Sequence, residues 1–134
     1  MKKVILLICM LLVLCNVAYA SNWKHVLTTT DGTKYSIDME TIDNVDDYTF
    51  FWVMIDDPSK DFLFMSLHQF NKKEWTYRFY KSRFYNRKDI NKPSVSSDEP
   101  SPSASSNEPS KWYNIGYKSP AYYLIKYVSE VKKK

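Results

Sequence analysis

Apolar residues after position 20 are arranged in short runs that suit β-strands. The runs cover residues 23–28, 34–38, 48–55, 62–70 and 74–85. The Asp31-Gly32 pair between the first two runs is a strong signal for a β-hairpin. The run 48–55 (YTFFWVMI) is dominated by β-branched and aromatic residues, which predicts a strand buried on both faces. The pattern therefore predicts a series of strands joined by polar turns.

The last of these runs shows the clearest alternation of apolar and polar residues. Trp75, Tyr77 and Phe79 are spaced two residues apart, so we expect them to share one face of a strand. The alternation breaks at Phe79-Tyr80. A β-bulge or a sheet edge is expected at this point.

A polar segment separates the second and third runs. Residues 39–43 suit a short turn of α- or 3-10 helix with Ile42 as its apolar anchor. Asp38 stands where it can cap this turn. Residues 44–47 suit a polar turn.

A low-complexity segment follows the strands. Residues 93–110 hold four prolines, eight serines and no aromatic residue. Such a composition does not bury enough apolar surface to order itself, so we expect a flexible loop inside the domain. After this loop, Trp112 and Ile115 are candidates for burial.

The chain closes with the signals of one amphipathic helix. Ser119 suits the N-cap and Pro120 the first helical position, and the helix is expected to run to about Val131. Its apolar stripe consists of Ala121, Leu124, Ile125, Val128 and Val131. We therefore predict an α+β domain, with a single antiparallel meander-like β-sheet and one C-terminal α-helix packed on it.

The beginning of the chain differs in character from the rest. Two lysines precede the apolar run VILLICMLLV, and alanines at positions 18 and 20 stand where a signal peptidase reads. Residues 1–20 are therefore predicted to be a signal peptide, cleaved between Ala20 and Ser21, which is too short to be a membrane span. Residues 21–134 would form one domain, exported to the periplasm or to the outer cell surface, or secreted.

Both cysteines, Cys9 and Cys15, lie in the predicted signal peptide. Cys15 is an alternative site for a lipid anchor. Leu14 stands where a lipobox has Gly, Ala or Ser, so we favour cleavage after Ala20. The exported domain then has no disulfide, and its core depends on the burial of large side chains, chiefly aromatic ones.

The formal charge is modest and uneven. It is +4 for the whole chain, and loss of the two N-terminal lysines leaves +2. Such a small excess excludes a charge-driven nucleic-acid binder. Acidic residues dominate 31–61 and basic residues dominate 72–92, an asymmetry that influences the choice of partner.

The order of these features is similar to that of a known family. The residues that carry the similarity are Trp23, Tyr35-Ser36-Ile37-Asp38, Glu40-Thr41-Ile42, Trp52, Trp112-Tyr113-Asn114-Ile115 and Ser119-Pro120. Over residues 22–131 their order and spacing resemble the bacterial surface-adhesin protein E family, although no single motif is specific.

The resemblance implies one antiparallel sheet with a C-terminal helix, and residence in the periplasm or on the surface of a Gram-negative bacterium. Named members bind host matrix proteins such as vitronectin and laminin, and many others have no assigned role. Two departures weaken the transfer of a binding surface. Members often carry a pair of cysteines that this domain lacks, and the loop 93–110 is longer than the family leads us to expect.

One strand carries the strongest candidate surface. Cations and rings interleave there at Arg78, Tyr80, Lys81, Arg83, Tyr85, Arg87 and Lys88. Single-stranded nucleic acid stacks on such surfaces, but export argues against it, and a sulfated glycan or an acidic matrix protein would use the same charges. The alternative is a solvated strand whose cations protect a sheet edge from aggregation.

The acidic residues between positions 38 and 47 and the two histidines are weaker candidates for functional sites. The acidic residues Asp38, Glu40, Asp43, Asp46 and Asp47 are candidates for calcium binding, but their spacing matches no EF-hand loop, so we favour a solvated acidic turn. His25 and His68 are too few for a zinc site. No serine lies in a nucleophile elbow, so we interpret both histidines as ordinary strand residues.

These observations favour an exported, non-enzymatic binding domain without metal or cofactor, possessing a surface for host matrix proteins or sulfated glycans. The alternative is a periplasmic structural or stress-related accessory protein with no host ligand. A hydrolase would need a clustered serine, histidine and acid. An exposed sheet edge would also allow a dimer through strand pairing.

Overall fold

The computed structural model describes residues 22–90 and 104–131. Its strands are β1 (Trp23–Thr28), β2 (Lys34–Asp38), β3 (Asp43–Val45), β4 (Tyr48–Asp56), β5 (Phe62–Asn71), β6 (Thr76–Asn86), β7 (Ala104–Ser106) and β8 (Tyr113–Asn114). Its helical elements are a 3-10 turn (Met39–Thr41), α1 (Arg87–Ile90) and α2 (Pro120–Val131). The predicted signal peptide, with Cys15 and Ala20, lies outside the described residues, as do Ser21 and the predicted loop up to residue 103.

All of these strands belong to one antiparallel sheet. The main order is β1-β2-β4-β5-β6-β7, while β3 pairs with β4 and β8 pairs with β6. β5 and β6 form the longest pair, from Phe62 opposite Asn86 to Asn71 opposite Thr76. With α2 packed on the sheet, the predicted α+β fold is confirmed.

The core lies between α2 and one face of the sheet. Its buried members are Ile37, Phe51, Val53, Phe70, Ile115, Leu124, Ile125 and Val128. The predicted helical stripe is confirmed, with Val131 half-buried at its end. Ser119 caps α2, because the Tyr122 amide donates a hydrogen bond to its Oγ at 3.2 Å.

The hairpin between β1 and β2 forms where it was predicted. Oδ1 of Asp31 accepts hydrogen bonds from the Thr29 hydroxyl and, at 3.1 Å, from the Thr33 amide. Gly32 has φ +87°, and a Cβ at this position would lie 3.4 Å from a side-chain carbon of Pro58. A larger residue would therefore be strained here.

The segment between β2 and β4 contains a strand that the sequence did not predict. Asp38 caps the 3-10 turn as expected, by accepting a hydrogen bond from the Glu40 amide at 3.2 Å. The helical turn ends at Thr41, however, and β3 pairs with the beginning of β4. The tight turn that makes this pairing possible contains Asp46, with φ +53°.

Burial along β4 differs from the prediction. Thr49, Phe51 and Val53 are buried, whereas the residues between them, Phe50 and Trp52, are half-buried. The reason is that α2 covers only one side of the sheet, so the strand is buried on one face and partly open on the other.

The turn between β5 and β6 also corrects the prediction. Trp75 was expected to share a strand face with Tyr77, but β6 begins only at Thr76. Oδ1 of Asn71 accepts hydrogen bonds from the amides of Lys73 and Glu74, each at 3.1 Å, and so holds a longer turn. Trp75 ends this turn with φ +56° and is 46% exposed.

Residues 104–115 line the outer edge of β6. Ala104–Ser106, inside the segment predicted as a flexible loop, form β7 opposite residues 82–84 of β6. Ser110 continues the contact, since its amide donates to the Phe79 carbonyl at 2.8 Å and its Oγ accepts from the Phe79 amide at 3.0 Å. Of the two residues predicted to be buried, Ile115 is buried and Trp112 is 38% exposed.

Candidate functional site

The sheet has one face that α2 does not cover, which we call the open face. Three cross-strand rows of β4, β5 and β6 form its centre. They are Phe50-Gln69-Arg78, Trp52-Leu67-Lys81 and Met54-Met65-Arg83. Each row begins with an apolar residue on β4 and ends with a cation on β6. The open face is therefore apolar on one side and positively charged on the other.

A β-bulge places the three cations on this face. Leu67 pairs with Lys81 and His68 pairs with Phe79, so Tyr80 is the extra residue of β6. In a regular strand Arg78 and Lys81 would point to opposite faces, because side chains alternate with period two. The extra residue reverses the alternation, and the predicted break at this point is confirmed.

Aromatic rings hold two of the cations. Cζ of Arg83 lies 4.9 Å from the centre of the Trp52 ring. Cζ of Arg78 lies 4.5 Å from the Trp112 ring and 5.6 Å from the Tyr80 ring. Such cation–π contacts contribute about 0.5–1 kcal/mol each at exposed sites. They restrain the guanidinium groups before any ligand arrives.

The same rings pack against their neighbours. Phe50 and Tyr80 meet edge to face at 5.7 Å, and Tyr48 stacks on Trp112 at 6.1 Å. Nε of Arg78 donates a hydrogen bond to Oε1 of the buried Gln69 at 2.7 Å. The Arg78 side chain is therefore oriented by rings and by this hydrogen bond, and its terminal nitrogens remain to serve as donors.

The cations of the open face have no carboxylate partner in the described part of the chain. The ion pair found there joins Arg87 to Asp56 and involves none of the three. Arg83 is exposed, and Arg78 and Lys81 are half-buried. Unpaired cations over a partly apolar surface give a positive potential that attracts anions.

The Arg87 side chain makes several contacts within the fold. Its guanidinium pairs with the Asp56 carboxylate and donates to the carbonyl oxygens of Asp57 at 2.7 Å and Lys60 at 2.8 Å. These contacts fasten the turn between β4 and β5. These contacts give the Arg87 guanidinium a structural role, and we do not count it among the cations of the open face.

The structure places five of the seven predicted residues on the open face. Arg78, Tyr80, Lys81 and Arg83 are partly or fully accessible there, and Tyr85, opposite Leu63 in the register, is buried with 8% exposure. Lys88 is exposed on the short helix α1. A binding role for these residues remains a prediction.

The sequence did not indicate two aromatic residues that contact the arginines of the open face, Trp52 on β4 and the distant Trp112. Trp52 lies on β4, separated from Lys81 by one strand, β5, and Trp112 follows the serine- and proline-rich segment in the chain. Only strand register brings them beside the arginines. The signal available in the sequence was the abundance of aromatic residues, which does not specify partners.

His68 and Ser66 form a buried pair on the face of the sheet opposite the open face. Nδ1 of His68 lies 3.0 Å from Oγ of Ser66 and 3.5 Å from its carbonyl oxygen. The ring stacks on Phe51 at 5.6 Å and on Tyr77 at 5.9 Å. Burial lowers the pKa of His68 from 6.5 to about 4, so the ring is neutral at pH 7.

The distance between the serine hydroxyl and the histidine ring is that expected in a hydrolytic site, but a substrate has no access to this pair. A nucleophile must be reached by its substrate, and Ser66 is 0% exposed. The other histidine, His25, is exposed on β1 and bonds to the Thr28 hydroxyl at 2.9 Å. The two histidines belong to strands separated by β2 and β4.

The acidic residues considered for calcium are dispersed. Asp38 is buried and engaged by the amides of Asn22 and Glu40, each at 3.2 Å. The other four are exposed, at positions 40, 43, 46 and 47. Among the residues that the structure describes, no group of three potential ligands is placed to hold a metal ion.

A shallow groove lies on the other side of the sheet. Its volume is about 280 Å³, and Ile55, Asp57, Lys60, Phe62, Phe64 and Phe84 line it. Phe64 and Phe84 are paired across β5 and β6, with ring centres 4.8 Å apart. This groove is therefore separate from the cations of the open face.

Comparisons with known protein families, with curated proteins and with solved structures found no match. Within residues 22–90 and 104–131, no helix has the length and apolar character needed to cross a membrane.

Proposed function

We propose that this chain is an exported, non-enzymatic binding domain whose open face recognises an anionic partner outside the cytoplasm. The observation that carries the proposal is the row of Arg78, Lys81 and Arg83, which lacks carboxylate partners among the described residues while rings orient both arginines. Charges of this kind guide the encounter with an oppositely charged partner, and the neighbouring rings supply contact area.

Two further considerations support the proposal. The first twenty residues have the pattern of a signal peptide, and the chain resembles the surface-adhesin protein E family in the order of its motifs. The sheet with a C-terminal helix is the architecture that this resemblance implies. An anionic matrix protein or glycan of the host is the kind of partner that fits both considerations.

Charge reversal tests the binding role. We expect Lys81→Glu with Arg83→Glu to abolish binding to immobilised polyanions, measured by surface plasmon resonance on protein purified from cells that express the full chain. The matched control is Lys24→Glu with Lys126→Glu, which changes the charge equally at two exposed positions away from the open face, since Lys24 pairs with the core residue Ile37 and Lys126 lies on α2. Equal affinity of both folded variants for every polyanion would overturn the proposal.

Location requires its own experiment. Protease digestion of intact cells should remove the protein if it is displayed on the surface, and detection of the mature N-terminus by mass spectrometry should place cleavage after Ala20. Protein that is protected in intact cells and released with the periplasm would favour the accessory role instead. A chain retained in the cytoplasm with residues 1–20 intact would refute export.

A further inference from the structure

We infer that the open face accepts a sulfated glycan, an inference that rests on the proposed function and names its ligand class. The rows that end in Arg78, Lys81 and Arg83 combine three features: a line of cations, rings beside them, and a backbone already paired within the sheet. The first feature selects a linear polymer with repeated anionic groups, and the other two favour a sulfated glycan over an acidic protein segment.

The first feature is the spacing of the cations. Lys81 and Arg83 lie two residues apart on β6, which corresponds to about 7 Å along a strand. Arg78 extends the line beyond the bulge, opposite Gln69, so the backbone positions of the three residues span about 14 Å. A linear polymer with an anionic group on successive units matches such a line, whereas one isolated carboxylate matches only a single cation.

The second feature is the presence of rings beside the charges. Trp52 lies under Arg83, and Tyr80 lies beside Arg78 and against Phe50. Sugar rings have apolar C–H faces that pack on aromatic rings, and their sulfate groups accept several hydrogen bonds from a guanidinium fork. A sulfated glycan offers both groups on every few ångströms of its length.

The third feature is that, within residues 22–90 and 104–131, both edges of the strand that carries the cations are occupied. The outer edge of β6 is occupied by β7, by Ser110 and by β8. Its other edge is paired with β5 along its whole length. A peptide therefore has no edge of β6 to extend, and strand addition is a main route of peptide recognition by sheets. Recognition on this face must rely on side chains.

The groove described above, whose shape would suit a protruding protein side chain, does not lie beside the cations. The groove at Phe62, Phe64 and Phe84 is on the opposite side of the sheet from the cations. Protein partners commonly anchor a large side chain in a pocket at the centre of the interface. On the open face the rings lie among the cations as a surface, which suits the flat faces of sugars.

The experiment compares three probes against one pair of variants. Heparin, chemically desulfated heparin and polyglutamate are immobilised, and the purified full-chain protein is passed over each at several salt concentrations. We expect heparin to bind at least about tenfold more tightly than the other two probes, with an affinity that falls as salt rises. Lys81→Gln with Arg83→Gln should weaken heparin binding about tenfold or more, and Lys24→Gln with Lys126→Gln, two exposed lysines away from the open face, should not.

A second measurement guards against a general effect of charge. Heparin fragments should change the intrinsic tryptophan fluorescence of the wild-type protein, and Trp52→Phe should remove most of that change if the sugar packs on this ring. A change that persists fully in the Trp52→Phe variant would overturn the inferred packing of the sugar.

The possible results distinguish the inferred ligand, a sulfated glycan, from the proposed function, the binding of an anionic partner. Binding to polyglutamate that equals or exceeds binding to heparin, and that depends on Lys81 and Arg83, would overturn the glycan and leave an anion-binding face. Equal binding to heparin and its desulfated form would likewise overturn recognition of sulfate. Failure to bind any of the three probes at low salt would overturn the proposed function itself.

Discussion

Acid should destabilise this protein through one buried histidine. The His68 ring is 4% exposed, and burial lowers its pKa from 6.5 to about 4. In the unfolded chain the ring takes up a proton as the pH falls through about 6.5. In the folded protein it stays neutral until about pH 4. Protons therefore favour the unfolded state between these two values, and stability present above pH 6.5 is lost as the pH falls.

The size of the effect follows from the two pKa values. Each pH unit between them costs about 1.4 kcal/mol of unfolding free energy. Lowering the pH from 7.5 to 5.0 should therefore cost about 2 kcal/mol. This is a large share of the about 5–15 kcal/mol that stabilises a typical domain. The midpoint of urea unfolding should fall by about 1–2 M.

The assay is urea unfolding at both pH values, followed by tryptophan fluorescence. The wild-type protein is compared with His68→Gln, which carries no proton-binding ring, and with His25→Gln as the control on an exposed histidine. We expect His68→Gln to lose about 2 kcal/mol less than the wild-type protein between pH 7.5 and 5.0. His25→Gln should behave as the wild-type protein does.

Equal losses in the wild-type protein and His68→Gln would refute the reasoning. Because an amide among the rings can itself prevent folding, an NMR titration of the wild-type protein provides a second test. The His68 ring resonances should show a midpoint near 4. A midpoint near 6.5 would contradict the burial on which the prediction depends.

Three other substitutions test the fold and the division of tasks among the cations. Leu124→Ala removes a fully buried side chain and should cost about 2–5 kcal/mol in chemical unfolding; a loss below about 1 kcal/mol would contradict the packing of α2. Asp38→Ala should cost about 1 kcal/mol by removing a cap, and Asp38→Asn should restore most of it in the same measurement. Arg87→Gln should lower stability by at most about 1 kcal/mol, since its ion pair with Asp56 is partly exposed, and it should leave polyanion binding unchanged. Loss of binding in a folded Arg87→Gln variant would contradict its structural role.

Local signals in the sequence predicted the fold well. The hairpin at Asp31-Gly32, the cap at Ser119 and the apolar stripe of α2 each depend on residues close together in the chain. Such features are decided by turn chemistry and by periodicity, so one sequence is enough to locate them. The α+β architecture follows from their order.

Features that depend on register were not predictable in the same way. The break at Tyr80 was expected, but its consequence, that Arg78 and Lys81 share a face, depends on which residue of β5 pairs with each. The contact of Arg78 with Trp112 joins residues far apart in the chain. The position of Trp75 was not predictable either. The Asn71 side chain, four residues earlier, accepts hydrogen bonds that lengthen the turn in which Trp75 lies. Periodicity alone contains none of this information.

The central claim is that the open face is the place where an anionic partner binds. Titration of the isotopically labelled protein with a short heparin fragment, followed through amide and indole N–H resonances, tests this claim most directly. We predict shifts at Arg78, Lys81 and Arg83, at the Trp52 indole, and at few positions elsewhere. Shifts confined to α2 or to the groove at Phe62, with the β6 resonances unmoved, would contradict the account.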